Sequence, residues 1–142
     1  MKNVNEVIAI ISRIRNNANK LIIEHLDKKV IKGLAPSHGD VLQVLLHSSG
    51  GVTMNTLASK IGRDKSTLTA LVNKLERYEF VEKLKSLEDS RSTLVQLTSK
   101  GKELKPIFDD VSQKLLDTTY AGFTQKEKEI LVDLLVRVNN NY

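Results

Sequence analysis

A chain of 142 residues with 40% apolar side chains is the size of one domain and can build one core. Its 22 Lys and Arg exceed its 17 Asp and Glu, giving a formal net charge of +5, which suits a polyanionic partner without requiring one. Zero cysteines exclude a disulfide scaffold, a cysteine-ligated zinc site, a thiol nucleophile and a redox-sensing thiol. No apolar run approaches the roughly 20 residues of a membrane span, and Met1 to Glu6 lack a signal-peptide pattern, so no membrane partner and a cytoplasmic location are expected.

The surplus of charge lies early in the chain. Residues 1–50 carry 7 basic and 4 acidic side chains, residues 51–100 carry 9 and 6, and residues 101–142 carry 6 and 7. An anion-binding face is therefore sought before residue 100. Val4, Val7, Ile8, Ile11, Ile14, Ala18, Leu21, Ile22 and Leu26 recur at steps of three and four, which predicts one helix from about Asn5 to Lys29. At 1.5 Å per residue it would run about 40 Å, more than a compact domain needs, so part of it is expected to pack on a second chain. Gly33-Leu34-Ala35-Pro36 breaks it, and Pro36 suits the first turn of a second helix with Val41, Leu42, Leu45 and Leu46 inward. Ser48-Ser49-Gly50-Gly51 ends that helix.

Two short helical patterns follow, separated by a tight turn. Thr53 can cap a helix holding Met54, Leu57, Ala58 and Ile61; Gly62 allows the left-handed turn residue; Asp64 can cap a helix with Leu68, Leu71, Val72 and Leu75 inward. This is the sequence form of a helix-turn-helix. Val81–Lys85 and Thr93–Leu97 then read as strands of a hairpin with a polar tip from Ser86 to Ser92. Thr98 can cap a helix burying Leu104, Ile107, Phe108, Val111, Leu115 and Leu116, with Pro106 in its interior expected to bend it. Thr124-Gln125-Lys126-Glu127 is a capping box for a last helix striped by Ile130, Leu131, Leu134, Leu135 and Val138. The fold class expected is mainly α with a small β-hairpin.

The outer face of the second short helix carries Lys65, Ser66, Thr67, Thr69, Ala70, Asn73, Lys74 and Arg77. Hydroxyls and an amide near a helix N-terminus can reach base edges in a major groove, and Lys or Arg farther along can reach phosphates. An ordinary solvated helix face has the same composition, so this face alone does not decide. At the hairpin tip Arg91 stands two residues after Asp89, as a groove-probing arginine steadied by a carboxylate requires.

In this order the sequence resembles the MarR-type winged-helix transcriptional regulators. The resemblance rests on Leu57-Ala58, Asp64-Lys65-Ser66-Thr67-Leu68-Thr69, Leu75-Glu76, Phe80-Val81-Glu82, Asp89-Ser90-Arg91 and Leu94-Val95-Gln96-Leu97-Thr98-Ser99-Lys100-Gly101. It implies a single MarR-like domain over 1–142, a winged helix-turn-helix lobe over 35–98, and dimerisation helices over 1–34 and 99–142. It further implies a homodimer on double-stranded DNA, with the helix from Asp64 in the major groove and Arg91 in the adjacent minor groove. Three positions depart from the family pattern: Ala70 and Leu84 stand where arginine is common, and Glu79 where glycine is. Ala70 removes a DNA contact, Glu79 costs about 1 kcal/mol in a left-handed turn, and Leu84 is expected to pack beneath the wing.

The family commonly binds a small aromatic or phenolic acid between the dimer helices and the DNA-binding lobe, and residues near Arg13, Arg15, His25 and His38 are candidates to line that pocket. His38 and His47 are nine positions apart, about 900° at 100° per residue, so they cannot share a metal; neither a metal site nor another cofactor is expected. The chain has no glycine-rich phosphate loop, Gly-x-Ser-x-Gly elbow or His-Glu-x-x-His element, so no catalysis is expected. A winged helix serving as a protein-interaction module, or a small-molecule sensor without DNA binding, is the competing class.

Overall fold

The structure, a computed structural model, describes residues 2–28, 32–89 and 91–142. A 3-10 turn, Val4–Glu6, leads into α1, Val7–Lys28. Then come α2 (Pro36–Leu46), β1 (Val52–Thr53), α3 (Met54–Ile61), α4 (Lys65–Arg77), β2 (Val81–Lys85), β3 (Thr93–Leu97), α5 (Ser99–Lys102), α6 (Lys105–Thr119) and α7 (Gln125–Asn139). The predicted helix end at Lys29 and the tip residue Ser90 lie outside the described residues.

The helix boundaries fall where side chains can replace missing intrahelical partners. Thr53 Oγ1 accepts from the Thr56 N–H at 3.1 Å, and Asp64 Oδ1 accepts from the Thr67 N–H at 2.7 Å, each satisfying one orphan donor of a first turn. Between these helices Gly62 adopts φ +67°, a left-handed conformation that costs glycine little, and the Arg63 N–H closes back on Ala58 O at 3.1 Å. Pro36 occupies the first turn of α2, where its missing N–H is not needed. Thr124 and Glu127 exchange the two bonds of a capping box.

The strands form a three-stranded antiparallel sheet in the order β1-β3-β2. The β2–β3 hairpin runs in register from Val81 opposite Leu97 to Lys85 opposite Thr93. β1, pairing Val52 with Val95 and Thr53 with Leu94, is an addition that two residues of sequence could not announce through alternation. It clips the start of α3 to the hairpin. The core is concentrated here: Val41, Leu42, Leu57, Leu68, Val72, Leu75 and Val95 are wholly buried.

Pro106 corrects one expectation. It does not bend a continuous helix; it sits in the first turn of α6, and the helix predicted from Thr98 is two helices. The Leu104 N–H bonds to Gly101 O at 3.1 Å, so the chain tightens over Glu103–Leu104 and the residue without an N–H falls where none is required. Gly101 itself is fixed by close approach, since a Cβ there would lie 2.1 Å from Phe80 O. Leu84 is the second correction. It is 43% exposed and faces out opposite Leu94, so it does not pack beneath the wing.

The terminal helices are covered on one face at most. Leu26 alone is buried in α1, and no residue of α7 is buried. Ile14, Leu116 and Leu134 are 57%, 49% and 48% exposed. No helix among the described residues is long and apolar enough to cross a membrane.

Candidate nucleic-acid interface

Helix α4 is held by its inner residues Leu68, Leu71, Val72 and Leu75, all buried, which turns Lys65, Ser66, Thr69, Ala70 and Arg77 outward as exposed residues; Thr67 is half-buried. Asp64 fixes the entry to the helix. Its carboxylate accepts from the Thr67 N–H and from Ser66 Oγ, and these bonds hold its pKa below the ordinary carboxylate value.

The wing is braced by its own short side chains. Asp89 Oδ1 accepts from the Arg91 backbone N–H at 3.0 Å, and Asp89 Oδ2 accepts from Ser92 Oγ at 3.3 Å. Ser86 Oγ accepts from the Glu88 and Asp89 N–H groups at 3.3 Å. The carboxylate thus supports the backbone of Arg91 and leaves its guanidinium exposed. Lys65 and Arg91 meet along a cleft of about 100 Å³ whose remaining walls are Thr53, Met54, Asn55, Ser92 and Thr93. The start of α4, the start of α3 and the hairpin tip therefore present one continuous cationic, donor-rich surface. Asn55 and Thr93 were not among the site residues of the sequence reading. Asn55 was accessible to it, as a polar residue in the first turn of α3 among the inward Met54, Leu57 and Ala58.

Two residues expected on this surface are engaged elsewhere. Lys74 Nζ donates to Gly33 O at 2.6 Å and stands 6.0 Å from the centre of the Tyr78 ring, tying α4 to the segment before α2. That contact uses one of the three ammonium donors, so Lys74, expected to reach a phosphate, is anchored to the scaffold with two donors remaining. Asn73 Oδ1 accepts from Lys83 Nζ of β2, and Lys83 also lies 3.5 Å from Glu76. Asn73 is therefore steered by the wing, with its amide donors remaining. Arg77 is exposed at the helix end.

Past Tyr78 the chain leaves α4 through Glu79 at φ +65°, as the missing glycine at this position led us to expect. The Phe80 N–H bonds to Leu75 O at 3.1 Å, and Thr98 Oγ1 donates to Glu79 O at 2.6 Å. Surrounding bonds hold the strained residue.

A second concavity of about 180 Å³ lies where α1, α2 and α6 meet, with Arg15, Ile22, Asp40, Gln43, Phe108 and Leu115 on its walls. Arg15 Nη2 lies 3.5 Å from Asp40 Oδ2. Burial pushes the Asp40 carboxyl up from its ordinary value, against the pull of Arg15 and Arg63. Of the four residues proposed for an effector pocket, Arg15 is on these walls. Arg13 is exposed on α1, His25 Nδ1 bonds to Leu21 O within α1, and His38 is buried, its Nδ1 accepting from the Ala35 N–H at 2.9 Å. Among the described residues no group of three or more His, Asp and Glu side chains could hold a metal ion.

Comparison with known proteins agrees with this architecture. The model of the MarR family matches residues 39–93. The HTH-type transcriptional regulator MhqR of Bacillus subtilis is 31% identical over 128 residues, spanning 89% of this chain and 87% of that protein. A MarR transcriptional regulator from Methanosarcina mazei superimposes with a TM-score of 0.83 at 22% identity, over 96% of both chains. The PcaV transcriptional regulator from Streptomyces coelicolor, solved in complex with its natural ligand, does so with a TM-score of 0.80 at 21% identity, over 99% of this chain and 98% of that one.

Proposed function

The chain belongs to the MarR family and is a transcriptional regulator rather than an enzyme, and from that premise we propose that it works as a homodimeric repressor on a pseudo-palindromic DNA operator. The observation that carries this reading is the cleft shared by Lys65 of α4 and Arg91 of the wing, because it joins a helix sized for a major groove to an arginine on a loop sized for the minor groove beside it. In this reading Lys65, Ser66, Thr67, Thr69, Asn73, Lys74, Arg77 and Arg91 contact DNA, and Asp89 holds Arg91 in place. The lobe over 35–98 binds DNA, while 1–34 and 99–142 join two copies so that the recognition helices sit about 34–36 Å apart in successive major grooves. Repression follows from occupying the promoter.

The uncovered apolar residues of α1 and α7 support the homodimer, since exposed patches of that kind mark interaction surfaces. The concavity at Arg15 and Asp40 supports release by a small-molecule effector. Its cation and its apolar walls, Ile22, Phe108 and Leu115, suit an aromatic or phenolic acid. Effector and operator then antagonise one another by the same factor in both directions.

Fluorescence anisotropy on operator and random duplexes across a salt series tests the reading. Arg91→Ala is expected to cost about 1–3 kcal/mol of operator affinity, and wild-type binding should fall steeply with salt. Unchanged affinity in the variant removes Arg91 from the interface, and binding indifferent to salt would favour a protein-interaction module.

A further inference from the structure

The outward ridge of α4 has a definite chemistry. Residues at +4, +7 and +11 from Ser66 share one line on a helix of 3.6 residues per turn, so Ser66, Ala70, Asn73 and Arg77 form the ridge opposite Leu68, Val72 and Leu75, with Thr69 beside it. Ser66 Oγ lies 3.1 Å from Asp64 Oδ1, and Thr69 Oγ1 lies 2.8 Å from Lys65 O. A carboxylate and a carbonyl can only accept, so both hydroxyl protons are committed, and each hydroxyl has acceptor lone pairs left to offer another molecule. Asn73 Oδ1 is taken by Lys83. At the middle of the ridge stands exposed Ala70, which presents a methyl group and nothing polar.

Each of these features selects a base edge. In the major groove an acceptor meets the exocyclic amine of adenine or cytosine, a methyl meets the C5-methyl of thymine, and guanine is read by cationic donors at O6 and N7. The centre of this ridge has no such donor. Thymine and its partner adenine show the methyl and the amine together on one base-pair edge, matching the methyl and the acceptors present here. We propose that Ala70 is the specificity-determining residue of this protein: its methyl packs on a thymine C5-methyl in each half-site, while Ser66 and Thr69 accept from adenine amines beside it. The proposal rests on the reading of α4 as the helix that enters the major groove.

The test starts from duplexes enriched by the wild-type protein from a random pool. Each dT of the enriched half-site is replaced singly by deoxyuridine, which removes only the methyl, and affinity is measured by anisotropy at fixed salt. At one position in each half-site the replacement should weaken wild-type binding about fourfold, the worth of one buried methyl group. Ala70→Gly should bind the dT and deoxyuridine duplexes equally. Wild-type binding that ignores every such replacement would overturn the proposal. Because glycine weakens helices, Ala70→Arg provides an independent arm: renewed selection should change the preferred base at that position from thymine to guanine, and retention of thymine would overturn the assignment. If the wild-type protein enriches no sequence at all, the major-groove reading of α4 fails, and the proposal fails with it; enrichment without methyl dependence sinks the proposal alone.

Discussion

The winged lobe and the terminal helices handle their apolar side chains in opposite ways. In the lobe Val41, Leu42, Leu57, Leu68, Val72, Leu75, Val81 and Val95 are all within 2% of full burial, and helices and sheet close on one another. In the terminal helices α1 buries Leu26, α6 buries Phe108 and Val111, and α7 buries nothing, leaving Ile130, Val132, Leu134, Leu135 and Val136 exposed. The patterning of both regions is equally apolar, so the difference is one of partners. A lobe that fills its own core is a preformed unit, whereas helices with an open face have a stable place only beside another surface.

Core truncation in the lobe should give the largest effect. Leu68 is wholly buried, and Leu68→Ala is expected to remove about 2–5 kcal/mol of stability through lost burial and the cavity left behind, measured by urea denaturation at fixed protein concentration. A loss below that range would mean that the lobe repacks and that its core is looser than the terminal contrast suggests. On the other side of the comparison, the double variant Ile130→Asp with Leu134→Asp should sediment as a monomer, and its melting temperature should stop rising with protein concentration as a self-associating chain's does. Wild-type protein whose melting temperature ignores concentration would break the comparison, because the terminal helices would then be stable uncovered.

Much of the lobe was legible because its signals are local. Thr53, Gly62 and Asp64 mark the helix-turn-helix through cap chemistry within three residues of sequence, and the β-branched, partly alternating runs that became β2 and β3 were bounded by turn residues. β1 escaped because two residues show no period. Pro106 misled because the same residue that disrupts a helix interior is at ease in a first turn, and only the tightening at Leu104 decides which applies. The candidate interface was legible by helix face but not by hydrogen bonding. Periodicity put Asn73 and Lys74 on the outer side of α4, yet Lys83 and Gly33, which claim them, are brought close only by the tertiary fold. The same limit hid the Arg15–Asp40 pair, whose members stand on two helices.

Glu79 is the one described non-glycine residue with a positive φ, and it sharpens the comparison from inside the lobe. The lobe accepts local strain there because Thr98 and Phe80 hold the turn from both sides. Glu79→Gly should relieve that strain and stabilise the protein by up to about 1 kcal/mol, read as a higher urea midpoint with an unchanged denaturant slope. A lower midpoint would mean that the Glu79 side chain contributes more than its backbone costs.

The smallest expected effect falls at the seam between the two regions, where His38 sits in the first turn of α2. Burial holds its imidazole below the ordinary value of 6.5, and the nearby Lys74 ammonium pushes the same way. Its Nδ1 accepts from the Ala35 N–H, which requires that nitrogen to be unprotonated. A histidine whose folded pKa is depressed binds a proton more readily in the unfolded chain, so its contribution is fully present above the unfolded value of about 6.5 and is lost as pH falls below it. His38→Gln keeps an acceptor but cannot take up a proton. Thermal unfolding at about pH 7.5 and about pH 5, on either side of the histidine range, should therefore show a larger loss for wild type than for the variant. Equal losses would place the acid sensitivity outside the seam and leave His38 as a packing residue only.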